Sequence, residues 1–205
     1  YLKLNSSVYV KGVLTIFIMA LAMIPVANFL GAFNALLPLP DFLSFLKEIE
    51  AETLLITERF LAMDTLIDLM LMIGLIGFVA AVGEELLFRG VLQNLFQEWF
   101  CSSHIAIWLT AFLFSVIHLQ YHAVLPRFVL GALIGYVYVN SGNLRSSMLL
   151  HFFYNSTLVI LTFLIQHGGL DAAWEEVGSE SWLLVLVAVL ILFSLFMKRI
   201  SNQTK

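Results

Sequence analysis

From Leu61 to Phe96 the chain is apolar almost without break for about 35 residues, well beyond the roughly 20 that cross 30 Å of hydrocarbon. The interruptions are charges: Asp64, Asp68, Glu84, Glu85 and Arg89. No soluble core helix has this length and composition, so the segment demands a lipid environment. Its excess length leads us to expect Gly83 to mark a bend or a change of role. Five further apolar runs accompany it, at about Val10–Leu30 (with Pro25 as a tolerated kink), Ile105–Gln120, Val124–Asn140, Arg145–Gln166 and Trp182–Met197. The expectation is an all-α polytopic transmembrane bundle of about six spans, a single integral membrane domain over 1–205.

Composition agrees. Hydrophobic residues make up 61% of the 205 and charged residues 12%, against about 45–50% and 25% in soluble domains. This excludes a disordered chain and a small disulfide scaffold. A net charge of −4 offers nothing to nucleic acid. The single cysteine, Cys101, permits no internal disulfide. The chain begins at Tyr1 without an initiator methionine, so an upstream segment is expected, and no signal-peptide cleavage pattern is evident. If the spans alternate, Lys3, Lys11, Arg145, Lys198, Arg199 and Lys205 share one side, the expected cytoplasm. Lys47, Arg59 and the acidic 171–180 loop share the other. Pro38 to Asp64 mixes acids with Phe42, Phe45, Leu54, Leu55 and Ile56; it reads equally as an amphipathic helix on the membrane surface or as a solvated loop.

Ionisable residues at membrane depth are costly unless paired or functional. Taking the 98–104 turn as one surface, a rise of about 1.5 Å per residue places Glu84 and His118 about 14 residues in, Asn155 about ten and His151 about six. All four fall in a band about 10–20 Å from that surface, although they belong to three separate segments. Glu85 and Arg89, four apart, share a helix face and read as a supporting pair that neutralises a buried charge. Glu84 points about 100° away and is free for chemistry. His151 and Asn155 share a face, as do Phe114 and His118, with Phe114 as a wall of the site.

A carboxylate beside a histidine activates water, and a second histidine with an amide donates to a developing oxyanion. That is peptide hydrolysis. The same Glu84, His118 and His151 equally make three zinc ligands with water in the fourth position, although no HExxH spacing is present. Ser115 lacks the strand–turn–helix setting of a serine nucleophile.

Glu84-Glu85-Leu-Leu-Phe-Arg89 resembles the EExxxR motif of the CPBP (ABI) intramembrane endopeptidases, the type 2 CAAX prenyl protease family. Phe114-Ser-Val-Ile-His118 resembles their FxxxH motif, and His151-Phe-Phe-Tyr-Asn155 their HxxxN motif. The likeness covers a protease-like core at about 80–165 and is closest to bacterial-type members. It implies an all-helical fold with its site in a membrane cavity. Glu84 and His118 would activate the water, and His151 and Asn155 would form the oxyanion hole. The family was first described as metalloproteases; the metal-free glutamate mechanism is the preferred expectation, with no cofactor, and zinc is the alternative.

The resemblance further implies a membrane-associated protein or peptide substrate, of the prenylated CAAX type in some relatives, and a bacterial plasma membrane or related internal membrane as location. Relatives that cut prenyl proteins open to the cytoplasm, whereas the depth count puts Glu84 and His118 beyond the bilayer middle, toward the other side. The competing reading is a non-catalytic binding, immunity or assembly subunit with a membrane-complex partner. A proton-coupled transporter would call for an internal repeat, and none is visible.

Overall fold

A computed structural model describes Leu4 and residues 10–203. Every regular element described is helical. In chain order they are α1 (Val10–Ala35), α2 (Leu46–Phe60), α3 (Leu66–Phe100), α4 (Ser103–Val116), α5 (Val124–Ser141), α6 (Leu144–Gln166) and α7 (Trp182–Gln203). Four of them, α1, α3, α6 and α5 with the 3₁₀ turn before it, are long and apolar enough to cross a membrane. The apolar stretches of α4 and α7 are shorter than the others.

Local chemistry sets the ends. Thr65 and Asp68 form a reciprocal capping box that opens α3. Cys101, in the left-handed region at φ 52°, closes α3, and Ser102 caps α4 through its hydroxyl. Asn143 caps α6 in the same way. These connections are so short that α3 to α6 must reverse direction at each turn.

Two expectations change. The third span was expected to reach Gln120, but α4 stops at Val116: Leu119 takes a left-handed φ of 54°, and the chain turns there. His118 therefore sits in a turn beyond the helix. Gly83 marks no bend; it lies in ordinary α-helix, and the change of winding falls on either side of it. Ile73–Val79 and Leu86–Leu92 are wound as π-helix.

Of the two readings of 38–64, the helix is the one found. In α2, Leu54, Leu55, Ile56 and Phe60 are exposed while Leu46 and Glu50 are buried, the pattern of an interfacial amphipathic helix. Lys3 and Lys205 lie outside the described residues, and of Lys198 and Arg199 only the helical backbone is described.

The main apolar core joins α1 (Ile16, Met23), α5 (Ile134, Val137), α6 (Leu150) and α7 (Leu192). A second cluster packs Val159 and Phe163 of α6 against the start of α3. Gly77 lets the first π stretch close onto α6: a Cβ there would lie 2.4 Å from the Ser156 hydroxyl. Leu71, Leu75 and Phe78 of α3 and Leu190 and Phe193 of α7 remain exposed, as lipid-facing surfaces do.

The 168–181 loop folds back over α1. Asn28 Nδ2 donates to the carbonyls of Glu175 and Val177 at 2.8 and 3.0 Å. Gly178, at φ 93°, lies so close to Pro25 that a Cβ would come within 2.5 Å of the ring.

Candidate active site

The short α segment between the two π stretches carries Glu84 and Glu85, which face different surroundings. Glu85 and Arg89 are wholly buried and paired, Nη1 to Oε1, at 2.5 Å. Arg89 Nη2 also donates to the Gly131 carbonyl on α5 at 2.7 Å, and its guanidinium lies 5.1 Å from the centre of the Phe114 ring. Satisfying a buried cation in this way makes the pair a tie between α3, α4 and α5. Glu84 is 32% exposed at its side chain and opens onto a cavity of about 860 Å³.

His151 stands between the two acids. Its Nδ1 lies 3.0 Å from Glu85 Oε1 and its Nε2 3.8 Å from Glu84 Oε2. A carboxylate only accepts, so the hydrogen bond to Glu85 puts a proton on Nδ1 and turns Nε2 toward Glu84. His118 is fixed by the same logic. Its Nδ1 lies 2.7 Å from the Phe114 carbonyl, so Nδ1 donates and Nε2 keeps its lone pair. Phe114 stacks edge-on against both imidazoles, with ring centres 5.1 Å from His118 and 6.0 Å from His151. It is also on the cavity wall.

Asn155 lines the cavity one turn beyond His151. Its Nδ2 donates to the Ile76 carbonyl at 3.0 Å. In the π stretch the amide of Ala80 reaches back five residues to Leu75, and the Ile76 carbonyl receives Asn155. The bond fixes which end of the amide is nitrogen and leaves its second N–H for a ligand. Such π turns recur at functional sites.

The structure thus brings Glu84, His118, His151 and Asn155 to one cavity, with Glu85, Arg89 and Phe114 behind them. Sequence reading missed three relationships. Glu85 holds His151 as well as Arg89. His122 lines the cavity and binds Glu50 of α2, ring Nδ1 to Oε2 at 2.8 Å and amide to Oε1 at 3.1 Å. Arg127 of α5 also lines it. The spacing of Glu50 from His122 carries no signal, because the two belong to separate elements. Among the described residues, no three histidine, cysteine or acidic groups are gathered as a metal site; Glu84, His118 and His151 do not form one as they stand.

Two carboxylates, two imidazoles and an amide are thus gathered among helices long and apolar enough to cross a membrane, as in an integral membrane protein. Residues 66–157 match the family model described as type II CAAX prenyl endopeptidase, Rce1-like. That segment is similar to the CAAX protease (CPBP) family, and all three motifs fall inside it. No curated protein and no solved structure matches the chain.

Proposed function

We propose that the protein is a glutamate-dependent intramembrane endopeptidase that needs no metal. It acts on a membrane-associated protein or peptide in a bacterial plasma membrane or a related internal membrane. The observation that carries this reading is the shared cavity: Glu84, His118, His151 and Asn155 all line it.

Glu84, assisted by His118 Nε2, takes a proton from a water in the cavity, and the hydroxide attacks the scissile carbonyl carbon. The oxyanion accepts from the second N–H of Asn155 and from His151 Nε2, which donates when the ring carries its second proton. Collapse of the intermediate breaks the C–N bond, and the proton held by Glu84 passes to the leaving amine. Acid and amine products balance the water consumed. Glu85 holds His151 in register throughout.

The test uses detergent-purified protein and a fluorogenic farnesylated CAAX peptide, alongside an unprenylated one. Cleavage that survives chelator and is lost in both Glu84→Gln and His118→Ala supports the reading. Loss on chelation with recovery on adding zinc would replace it with the metal mechanism, and undiminished cleavage by Glu84→Gln would remove the water-activating role.

A further inference from the structure

The connection from α6 to α7 is out of scale with the rest of the bundle. It runs for fifteen residues, 167–181, whereas 101–102 and 142–143 turn the chain in two each. Helices in bundles are usually joined by no more than about eight residues, and much longer loops commonly cover active sites. This one lies at the cavity. Glu175, Glu176, Ser179 and Glu180 stand on its wall together with Glu84 and His118.

Two contacts fasten the segment, and both are to α1. Asn28, itself on the cavity wall, donates through Nδ2 to the carbonyls of Glu175 and Val177 at 2.8 and 3.0 Å. Gly178 rests on Pro25, so close that a Cβ would come within 2.5 Å of the ring. Gly178 is also the one buried residue of 167–181. The largest side chain, Trp174, is 50% exposed and anchors nothing. Among the described residues, Asp171, Glu175, Glu176 and Glu180 form no ion pair. Apart from the Asn28 bonds, the hydrogen bonds of 171–180 reach no farther than Ser181. A segment with so little buried apolar surface opens locally at far less cost than the bundle unfolds. Gly168, at φ 68°, followed by Gly169, gives it a pivot at the α6 end.

We propose that 171–181 is a hinged cover of the cavity, latched shut on α1 by the Asn28 amide and by the seat of Gly178 on Pro25. Opening uncovers the α1 wall around Ala27 and admits ligand; closing restores both contacts and shields the cavity from water. The cover governs entry whether or not the cavity hydrolyses peptide, so the inference goes beyond the function proposed above.

The experiment is cysteine labelling of the full chain in detergent, in a Cys101→Ser background. Ala27→Cys reports opening, because Ala27 is buried and lines the cavity. Ala106→Cys, wholly buried in α4, reports loosening of the bundle. N-ethylmaleimide uptake is followed by mass spectrometry. Asn28→Asp keeps the side chain's shape and removes the donor. Gly178→Val acts independently by driving a side chain into Pro25. Each should speed labelling of Ala27→Cys about tenfold or more, as expected when contacts worth two hydrogen bonds are lost from a local opening. The Ala106→Cys control should stay unlabelled over the same interval. Cleavage after Glu175 and Glu176 by endoproteinase Glu-C should quicken in the same variants.

A gain in either variant with the control silent supports the cover. Labelling of Ala27→Cys at the parent's rate in both variants overturns it. Acceleration of the control by the same factor overturns it as well, since the whole bundle would then be opening.

Discussion

The Nδ1 of His151 lies 3.0 Å from Oε1 of Glu85, the same oxygen that receives Arg89. One carboxylate oxygen thus serves a structural ion pair and a residue of the site. In the proposed mechanism the second glutamate of the EExxxR sequence is a positioning residue, holding the ring that faces the first. Removing its charge should cost activity through His151 and stability through Arg89, and the two effects can be separated.

Glu85→Gln keeps the shape of the side chain but weakens its hold on the imidazole. Peptide hydrolysis should fall about a hundredfold. Arg89→Met leaves a buried carboxylate without its cation and should cost about 3–5 kcal/mol, read as a lowered unfolding midpoint in detergent. In the double variant Glu85→Gln/Arg89→Met the midpoint should recover relative to Arg89→Met alone, because no buried charge is left unpaired. Failure to recover would show that the ion pair is not what the bundle requires.

Glu84 is the contrasting case. It is partly exposed, and the imidazole of His151 is 3.8 Å away. Glu84→Gln should leave the unfolding midpoint within about 0.5 kcal/mol of the parent, the range of substitutions away from packed features. Hydrolysis should drop by about 10²–10⁴-fold. A variant that both unfolds early and loses activity would assign Glu84 to structure.

Gly77 sits where α3 touches α6. A methyl group at Gly77→Ala would collide with the Ser156 hydroxyl at 2.4 Å, so the helices must part or Ser156 must turn. The expected destabilisation is about 1–3 kcal/mol. Ser156→Ala added to Gly77→Ala removes the colliding oxygen and should return most of it, as thermal unfolding would show.

The cavity mouth is expected to face away from the cytoplasm. Lys11 and Arg145 lie toward the end of the bundle that holds the α3–α4 and α5–α6 turns. Cys101, exposed and unpaired, sits in the first of these turns. It should resist a membrane-impermeant maleimide added to intact cells and react after lysis. Ala173→Cys in a Cys101→Ser background, placed on the exposed 168–181 loop, should react before lysis. The reverse pattern would put the cavity on the cytoplasmic side.

Much of the site was legible because a membrane makes charge conspicuous. Glu84, His118 and His151 stand out in apolar runs, and a rise per residue is enough to align them. Fold class followed from run length for the same reason. Helix ends at the turns were less legible. His118 looked like the last residue of a span, but the left-handed Leu119 ends α4 early, and hydropathy does not register a single backbone dihedral. The Glu85–His151 bond was hidden because it depends on how α3 is wound. The Glu50–His122 bond and the cavity position of Arg127 depend on how α2 and α5 meet the 117–123 turn.

The two π stretches of α3 flank Glu84 and Glu85 with seven residues each. Relative to an ideal α-helix, each wide turn accommodates extra backbone and so shifts the angular phase of everything beyond it by up to one residue, about 100°. The acids are therefore aimed by a pair of phase offsets, one from each end of a rod that lipid and neighbouring helices hold at both ends. Deleting a single residue from either stretch would leave hydropathy, length and motif almost untouched. It would nonetheless swing Glu84 out of line with His151 or shift Arg89 away from Gly131, in the way a slipped tooth mistimes a gear train whose wheels are all intact.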